Sequence, residues 1–347
     1  MEIQKYLDSL ALNISESQYR ARPELSYSNL SSYESLGFEG LDHLFDKKES
    51  PSLTLGSIVD TLITGSGAEF NAHYYVADFP TLGEKETLVA NYLFEHYGSD
   101  YISVSLIPFQ SILEAANTYE FQRNWKDETR VKVITERCSY YYGIKANAKD
   151  KTIVDRKTFE DALEMVRALR ESPATSGYFA ENEPMFSPIR RYYQLKFAAN
   201  LEGVDYRCMM DEVIVNYEDK TIIPIDLKTS SKAEWNFEDS FIQWKYSIQA
   251  RLYAAILKAN IEKDPYFKDF KMENYRFIVV NRKTLTPLVW EFPHTYYRGP
   301  LVDKNGNEWR DPRDIGKELR KYLDCRPQVP DSIVQDGLNI IRCLNPK

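Results

Sequence analysis

Two runs rich in β-branched residues, Asp211 to Val215 and Thr221 to Lys228, flank the polar tetrapeptide Tyr217-Glu218-Asp219-Lys220. That pattern predicts an antiparallel hairpin. A turn symmetric about Glu218 and Asp219 sets Asp211 opposite Asp226, and directly opposed side chains lie roughly 5 Å apart at their Cβ atoms. Because side chains alternate along a strand, Asp226 and Lys228 share a face. Two opposed carboxylates repel, so a cation is expected between them.

Oxygen donors of this kind favour a hard divalent ion, Mg²⁺ with Mn²⁺ as a substitute. The Lys228 ammonium would reach the region beside it, where it could orient a water or stabilise charge developing on a phosphate. That layout suits phosphodiester cleavage. The blander account makes Asp226 and Lys228 an edge ion pair. Against it, the neighbouring Ile222-Ile223-Pro224-Ile225 is apolar, and isolated charges there are costly to bury without partners.

From Ile242 to Ala259 there is no Gly or Pro, and the stretch reads as helix. At helical spacing Ile248, Leu252, Ala255 and Ala259 share one face, while Tyr246, Gln249 and Tyr253 share the other. The apolar face would pack, and the polar-aromatic face would look at the site.

Asp211, then Asp226-Leu227-Lys228, then Gln249-x-x-x-Tyr253 resembles the PD-(D/E)XK nuclease superfamily. Within it, Tyr206-Arg207-Cys208-Met209-Met210-Asp211 and Tyr246-Ser-Ile-Gln249-Ala-Arg-Leu-Tyr253 look most like the exodeoxyribonuclease VIII (RecE) and lambda-exonuclease type of recombination exonuclease. A lone D-x-K is a weak signal; the ordered set with its helix is stronger. The resemblance implies an α/β fold with a restriction-endonuclease-like core, a mixed central sheet flanked by helices. It implies that Asp211, Asp226 and the Leu227 carbonyl hold Mg²⁺, that Lys228 acts at the phosphate, and that Gln249 and Tyr253 orient phosphate and lysine. Family members usually carry a histidine on a Gly-x-x-x-His helix, where this chain has Asp60 after Gly56. They also carry a glutamate on the strand before the Asp211 strand, where this chain has Gln194. Either residue could still serve the metal, and the two departures equally suit a weakened enzyme. Some relatives hold an iron–sulfur cluster; the spacing of Cys325 and Cys343 does not match, so none is implied. Double-stranded DNA ends, a single-strand annealing protein and a ring-shaped homo-oligomer are the partners the resemblance suggests.

Charge and composition set limits on this reading. A net charge of −8 argues against coating nucleic acid by bulk electrostatics. A local basic channel could still form from Arg190, Arg191, Lys196, Lys232, Lys245 and Arg251 with Tyr246, although each could be an ordinary solvated group. With 43% hydrophobic and 28% charged residues, no apolar run approaches bilayer length, and Met1-Glu2-Ile3-Gln4-Lys5 starts no signal peptide, so a cytoplasm, bacterial or phage-infected, is expected. Cysteines 138, 208, 325 and 343 form no C-x-x-C pair and read as free thiols. Histidines 43, 73, 96 and 294 are too scattered for a metal cluster.

The chain divides into a helical lead-in over 1–50 and a nuclease domain over 51–347, with an insertion at about 84–151. Helices are expected over Ser52 to Gly65, Glu84 to His96, Pro108 to Trp125, Lys157 to Glu171 and Asp314 to Leu323, with the stretch Lys132 to Ala148 ambiguous. Tyr140-Tyr141-Tyr142 could stack on bases or pack in a core. Ile189 to Phe197, Tyr275 to Val280 and Pro287 to Phe292 read as strands, and the tail with Pro327, Pro330 and Pro346 as loop. The function expected is a metal-dependent exonuclease acting on one strand of duplex DNA. A structure-specific or restriction-type endonuclease, and a catalytically weakened DNA-binding or assembly protein, remain alternatives.

Overall fold

The expected hairpin is present in the computed structural model, which describes residues 5–46, 50–65, 67–180 and 187–325. In chain order, α1 (Glu16–Arg20) and α2 (Tyr27–Leu36) precede α3 (Pro51–Thr64), α4 (Gly67–His73), β1 (Tyr74–Val76), α5 (Glu84–Tyr97) and α6 (Phe109–Thr118). Next come α7 (Asp127–Ala148), β2 (Thr152–Val154), α8 (Arg156–Glu171), β3 (Ile189–Leu201), β4 (Val204–Asn216) and β5 (Thr221–Ser230). The chain continues with α9 (Phe237–Gln243), α10 (Tyr246–Ile261), β6 (Lys271–Met272), β7 (Tyr275–Asn281) and β8 (Leu288–Phe292), then β9 (Leu301–Val302), β10 (Glu308–Trp309) and α11 (Pro312–Asp324). The expected proline-bearing tail and Cys343 lie outside the described residues.

Residues Leu55–Val166 make one compact unit, and Met1–Thr54 with Arg167–Lys347 make another. The insertion expected at about 84–151 falls inside the first, which is helical and broader. There α5, α6 and α7 bury Val89, Leu93, Ile112, Ala115, Ile134 and Cys138 against one another. The ambiguous stretch before Ala148 is α7, and its three tyrosines have different fates. Tyr142 is fully buried and donates to the Tyr101 carbonyl (2.7 Å), Tyr141 donates to Asn91 Oδ1 (2.9 Å), and Tyr140 is exposed. Core packing accounts for two of the three.

The other unit is built on a six-stranded mixed sheet of order β3-β4-β5-β7-β8, with β6 also pairing with β5. Strands β3, β4 and β5 run antiparallel, β5 and β7 are parallel, and β8 returns antiparallel. A parallel pair cannot be joined by a tight turn, and here α9 and α10 supply the connection. Tyr206, Cys208, Val213, Val215 and Phe277 of the sheet pack with Ile248, Leu252 and Ile256 of α10 and with Ile315 and Leu319 of α11. Helix α10 is buried nearly all round rather than on one stripe: Ser247 to Ala254 are all buried. One close approach seats α11. A Cβ on Gly316 would stand 1.9 Å from the Tyr206 hydroxyl, so only glycine lets the helix lie so near β4.

The register of the hairpin is the one the turn predicted: Asn216 pairs with Thr221, Val215 with Ile222, and Glu212 with Ile225. Asn216 fixes the turn, its Oδ1 accepting from the Glu218 and Asp219 amides at 3.0 and 3.2 Å. Helix α10 starts later than expected. The chain breaks at Lys245, which is left-handed (φ 55°, ψ 41°), so Ile242 and Gln243 belong to α9. Nothing local announces this, since Lys is not a residue that favours that conformation.

Candidate active site

The β4–β5 ladder ends at Glu212 and Ile225, one step before Asp211 and Asp226. Beyond that point β5 stays paired with β7, Asp226 with Phe277 and Leu227 with Ile278. On the β4 side, the Asp211 carboxylate takes the place of a backbone acceptor, and the Leu227 amide donates to its Oδ2 at 2.9 Å. On the other side of Asp211, the β3 ladder runs from Tyr193–Glu212 to Leu195–Met210 and skips Gln194, the counterpart of Asp211. Gln194 is left-handed (φ 53°). A non-glycine residue in that region is strained by about 1 kcal/mol or more, and such strain gathers at functional sites. Three neighbouring strands thus bring Gln194, Asp211 and Asp226–Leu227 to one row.

Asp226 is almost wholly buried, at 1% exposure. Its Oδ1 accepts from Gln249 Nε2 of α10 (2.5 Å), and its Oδ2 forms an ion pair with Lys228 Nζ that lacks hydrogen-bond directionality. Lys228 lies over the Tyr246 ring, 4.8 Å from its centroid. Burial alone would push the Lys228 ammonium down, but the Asp226 carboxylate, then Tyr246 and Asp211, more than reverse this and hold it above its usual range. Lys228 is therefore a fixed cation and cannot serve as a base near neutrality.

Tyr253 and Tyr275 complete the cluster. Burial raises both phenols well above the ordinary range, and the nearby Asp226 and Asp211 charges raise them further. They remain protonated and can only donate or accept hydrogen bonds. Besides Asp226 Oδ2, which has only the Lys228 ammonium, two polar atoms of the cluster are buried without a hydrogen-bond partner among the described residues, Gln249 Oε1 and the Tyr275 hydroxyl. Orphaned groups of this kind cost about 1–3 kcal/mol each, which is tolerable where a ligand or water completes them. Sequence reasoning missed Tyr275, because one tyrosine opening a strand of core residues carries no local signal. It also missed Tyr27, whose hydroxyl donates to the Trp244 carbonyl (2.6 Å).

The formal charges of Asp211, Asp226 and Lys228 leave one net negative. The donor set for a hard cation is the two carboxylates with the Leu227 main chain and the orphaned Gln249 oxygen, and its chemistry fits a divalent ion of the Mg²⁺ type. Among the described residues no group of three or more His, Cys, Asp or Glu side chains gathers at metal-binding distance. Glu212, next to Asp211 in sequence, lies apart from this donor set, facing Arg191. It is 2% exposed, with neither oxygen hydrogen-bonded and Arg191 Nε at 4.0 Å, and burial raises its carboxyl well above the usual range against the opposing pull of Arg191.

The remaining expected site residues have other surroundings. Asp60 sits on α3, in the helical unit. Arg251 is not a channel residue. It is 3% exposed, ion-paired with Asp311 (2.6 Å), and donates to the Tyr297 and Gly299 carbonyls. Arg191 is likewise committed, donating to the carbonyls of Tyr178 (2.7 Å) and Gly177. Arg190 lies against the Tyr6 ring, and Lys196 points back to the Gln194 carbonyl (3.5 Å). Tyr246 is packed against Phe237 and Phe277, and its ring meets Lys228. Lys232 and Lys245 flank α9 and are half-buried; the Lys232 side chain is 41% exposed and 3.9 Å from Asp239.

A mixed sheet with two facing carboxylates on adjacent strands, a lysine on the second and a glutamine from the crossover helix defines an α/β protein with an acidic, lysine-bearing centre. No family model matches the sequence, and no curated protein matches it. A crystal structure of a presumed exonuclease from Eubacterium rectale is similar at a TM-score of 0.39 and 11% identity, covering 96% of this chain and 90% of that one. No helix of the described residues is long and apolar enough to cross a membrane.

Proposed function

We propose that this chain is a metal-dependent phosphodiesterase acting on DNA, working as an exonuclease on duplex ends. The observation that carries the reading is the meeting, just past the end of the β4–β5 ladder, of Asp211, Asp226, Lys228 and Gln249, scattered over 39 positions of sequence, in one cluster of buried and half-buried side chains. Asp211, Asp226, the Leu227 carbonyl and Gln249 Oε1 would hold Mg²⁺ or Mn²⁺, which supplies Lewis acidity toward a phosphate oxygen. Lys228, kept charged by Asp226, stabilises negative charge building on the phosphate. Gln249 fixes the Asp226 carboxylate in one orientation. Tyr253 and Tyr275 remain protonated, so they offer hydrogen bonds but no base.

A second reading, a nuclease-like fold without catalysis, is favoured by one feature: the Lys228 ion pair occupies an Asp226 oxygen, and among the described residues no third acidic side chain joins the pair. Digestion of an end-labelled linear duplex and a closed circle, with Mg²⁺, Mn²⁺ or EDTA, separates the possibilities. Metal-dependent loss of the linear DNA alone supports an exonuclease, and opening of the circle supports an endonuclease. DNA binding without cleavage in any ion supports the second reading. In the exonuclease, Lys228→Ala keeps DNA binding and abolishes cleavage.

A further inference from the structure

The segment joining the Asp226–Lys228 strand to the Gln249 helix carries two indoles that the fold holds firmly yet leaves uncovered. Trp235 is 57% exposed and Trp244 is 55% exposed, while Phe237 between them is buried. The backbone beneath each is pinned. Beside Trp235, Glu234 is fully buried, and its carboxylate accepts from the Asn281 and Thr286 amides (both 3.0 Å) and the Thr284 hydroxyl. The Trp290 indole also donates to the Glu234 carbonyl (3.1 Å). At Trp244, the carbonyl accepts from Tyr27 and the amide donates to the Ser240 carbonyl (2.9 Å).

An exposed aromatic on a rigid backbone loses little conformational freedom on binding, which is how rigid aromatic anchors operate in recognition surfaces. The two acids between the indoles, Glu238 and Asp239, are matched by Lys304 (2.7 Å) and Lys232 (3.9 Å), which leaves Lys245 as the cation open to a phosphate. Lys232 precedes Trp235 by three residues, and Lys245 follows Trp244 directly. Lys245 makes no ion pair within 4 Å among the described residues, and its acidic neighbour Glu34 is taken by Arg310 at 3.0 Å. Two residues after Trp244, Tyr246 lies against Lys228. Lysines interleaved with exposed aromatics beside a phosphate-directed cation match the stacking platforms that hold single-stranded nucleic acid.

We infer that Trp235 and Trp244 stack on unpaired bases of the strand led to the Asp211–Asp226–Lys228 cluster, with Lys245 on its phosphates. This deepens the DNA-directed reading of the site and rests on it. Stacking needs an open base face, so the strand must be unpaired where it meets α9.

The test is equilibrium binding of a labelled oligothymidylate to the full chain in EDTA, where cleavage plays no part. The variants are Trp244→Ala, Trp235→Ala, Trp244→Phe and, as a control in the helical unit, the exposed Trp125→Ala. Each alanine at 235 or 244 is expected to weaken binding roughly 5- to 150-fold, the range that about 1–3 kcal/mol of base stacking spans. Trp244→Phe should restore most of the loss, and Trp125→Ala should bind like wild type. Unchanged binding in both alanine variants overturns the inference. So does absence of binding by wild type, or a Trp244→Ala effect confined to self-association in sedimentation. Tryptophan-dependent binding without cleavage in any divalent ion would remove the nuclease reading and leave the platform standing. Cleavage with binding indifferent to both indoles would do the reverse.

Discussion

Replacing Lys228 with methionine removes the cation that Asp226 faces while keeping most of the side-chain volume. Asp226 is 1% exposed and the Lys228 side chain 19% exposed, so the variant leaves a buried carboxylate whose other oxygen is held only by Gln249. Removing one partner of a buried pair costs about 3–5 kcal/mol, and the residual exposure of Lys228 argues for the lower end. For a domain the size of the sheet unit, about 2–4 °C of Tm accompany each kcal/mol, so a fall of about 6–12 °C is expected in EDTA. A divalent ion held by Asp211 and Asp226 would supply the missing charge, and at a hundred times its Kd it stabilises by about 2.7 kcal/mol. Scanning calorimetry with EDTA, Mg²⁺ and Mn²⁺ should therefore show a larger metal-induced rise in Lys228→Met than in wild type, where the ammonium competes. If the variant melts with wild type in EDTA, or both gain equally from metal, Lys228 is not the counter-charge of a metal-binding carboxylate pair.

Other expectations follow from the same geometry. Gln249→Ala takes the hydrogen-bond donor from Asp226 Oδ1; a loss of about 1.5–3 kcal/mol is expected for a bond to a charged group, visible in denaturant midpoints, with a fall in cleavage rate larger than any change in KM. Asp311 is fully buried as a side chain; burial opposes its charge, but Arg313, the Gly299 amide and Arg251 hold its carboxyl at about 2 against 3.8. Its folded value is depressed, so the stabilisation, about 2 kcal/mol, is present above pH 4 and disappears as pH falls toward 2. Asp311→Asn should flatten the acid limb of the stability profile in that window. Gly316→Ala, which in an exposed helix would stabilise by up to about 1 kcal/mol, should here destabilise by about 1–3 kcal/mol because the new methyl meets Tyr206. Thermal melting gives the sign directly.

The hairpin and its register were legible because they are local: a polar tetrapeptide between Val- and Ile-rich runs leaves few ways to pair, and Asp226 and Lys228 follow by alternation. The Gln249 helix was legible for the same reason, and the α/β class through the resemblance carried by Asp211, Asp226–Lys228 and Gln249. What escaped depends on contacts remote in sequence or on rare backbone states. Arg251 reads as a solvent-facing cation until Asp311, sixty positions on, is brought beneath it. Arg191 reads as a channel residue until the chain at Gly177 and Tyr178 folds back to it. The left-handed Gln194 and Lys245 have no glycine or asparagine to announce them. Tyr275 reaches the carboxylates only because β7 pairs with β5, a neighbour reached through two helices.

The short turn held by Asn216 has a consequence for how such a chain can diverge. Surface turns usually accept insertions freely, because nothing downstream depends on their length. Here a single added residue, if passed into the ladder, would present Ile225 and Leu227 where Asp226 and Lys228 now stand, because side chains repeat every second position. A two-residue shift would keep the faces but put Pro224 and Asp226 where Asp226 and Lys228 now stand, so any change of length is expected to be silenced within the turn or lost by selection. An exposed turn would carry the evolutionary signature of the centre whose phase it sets.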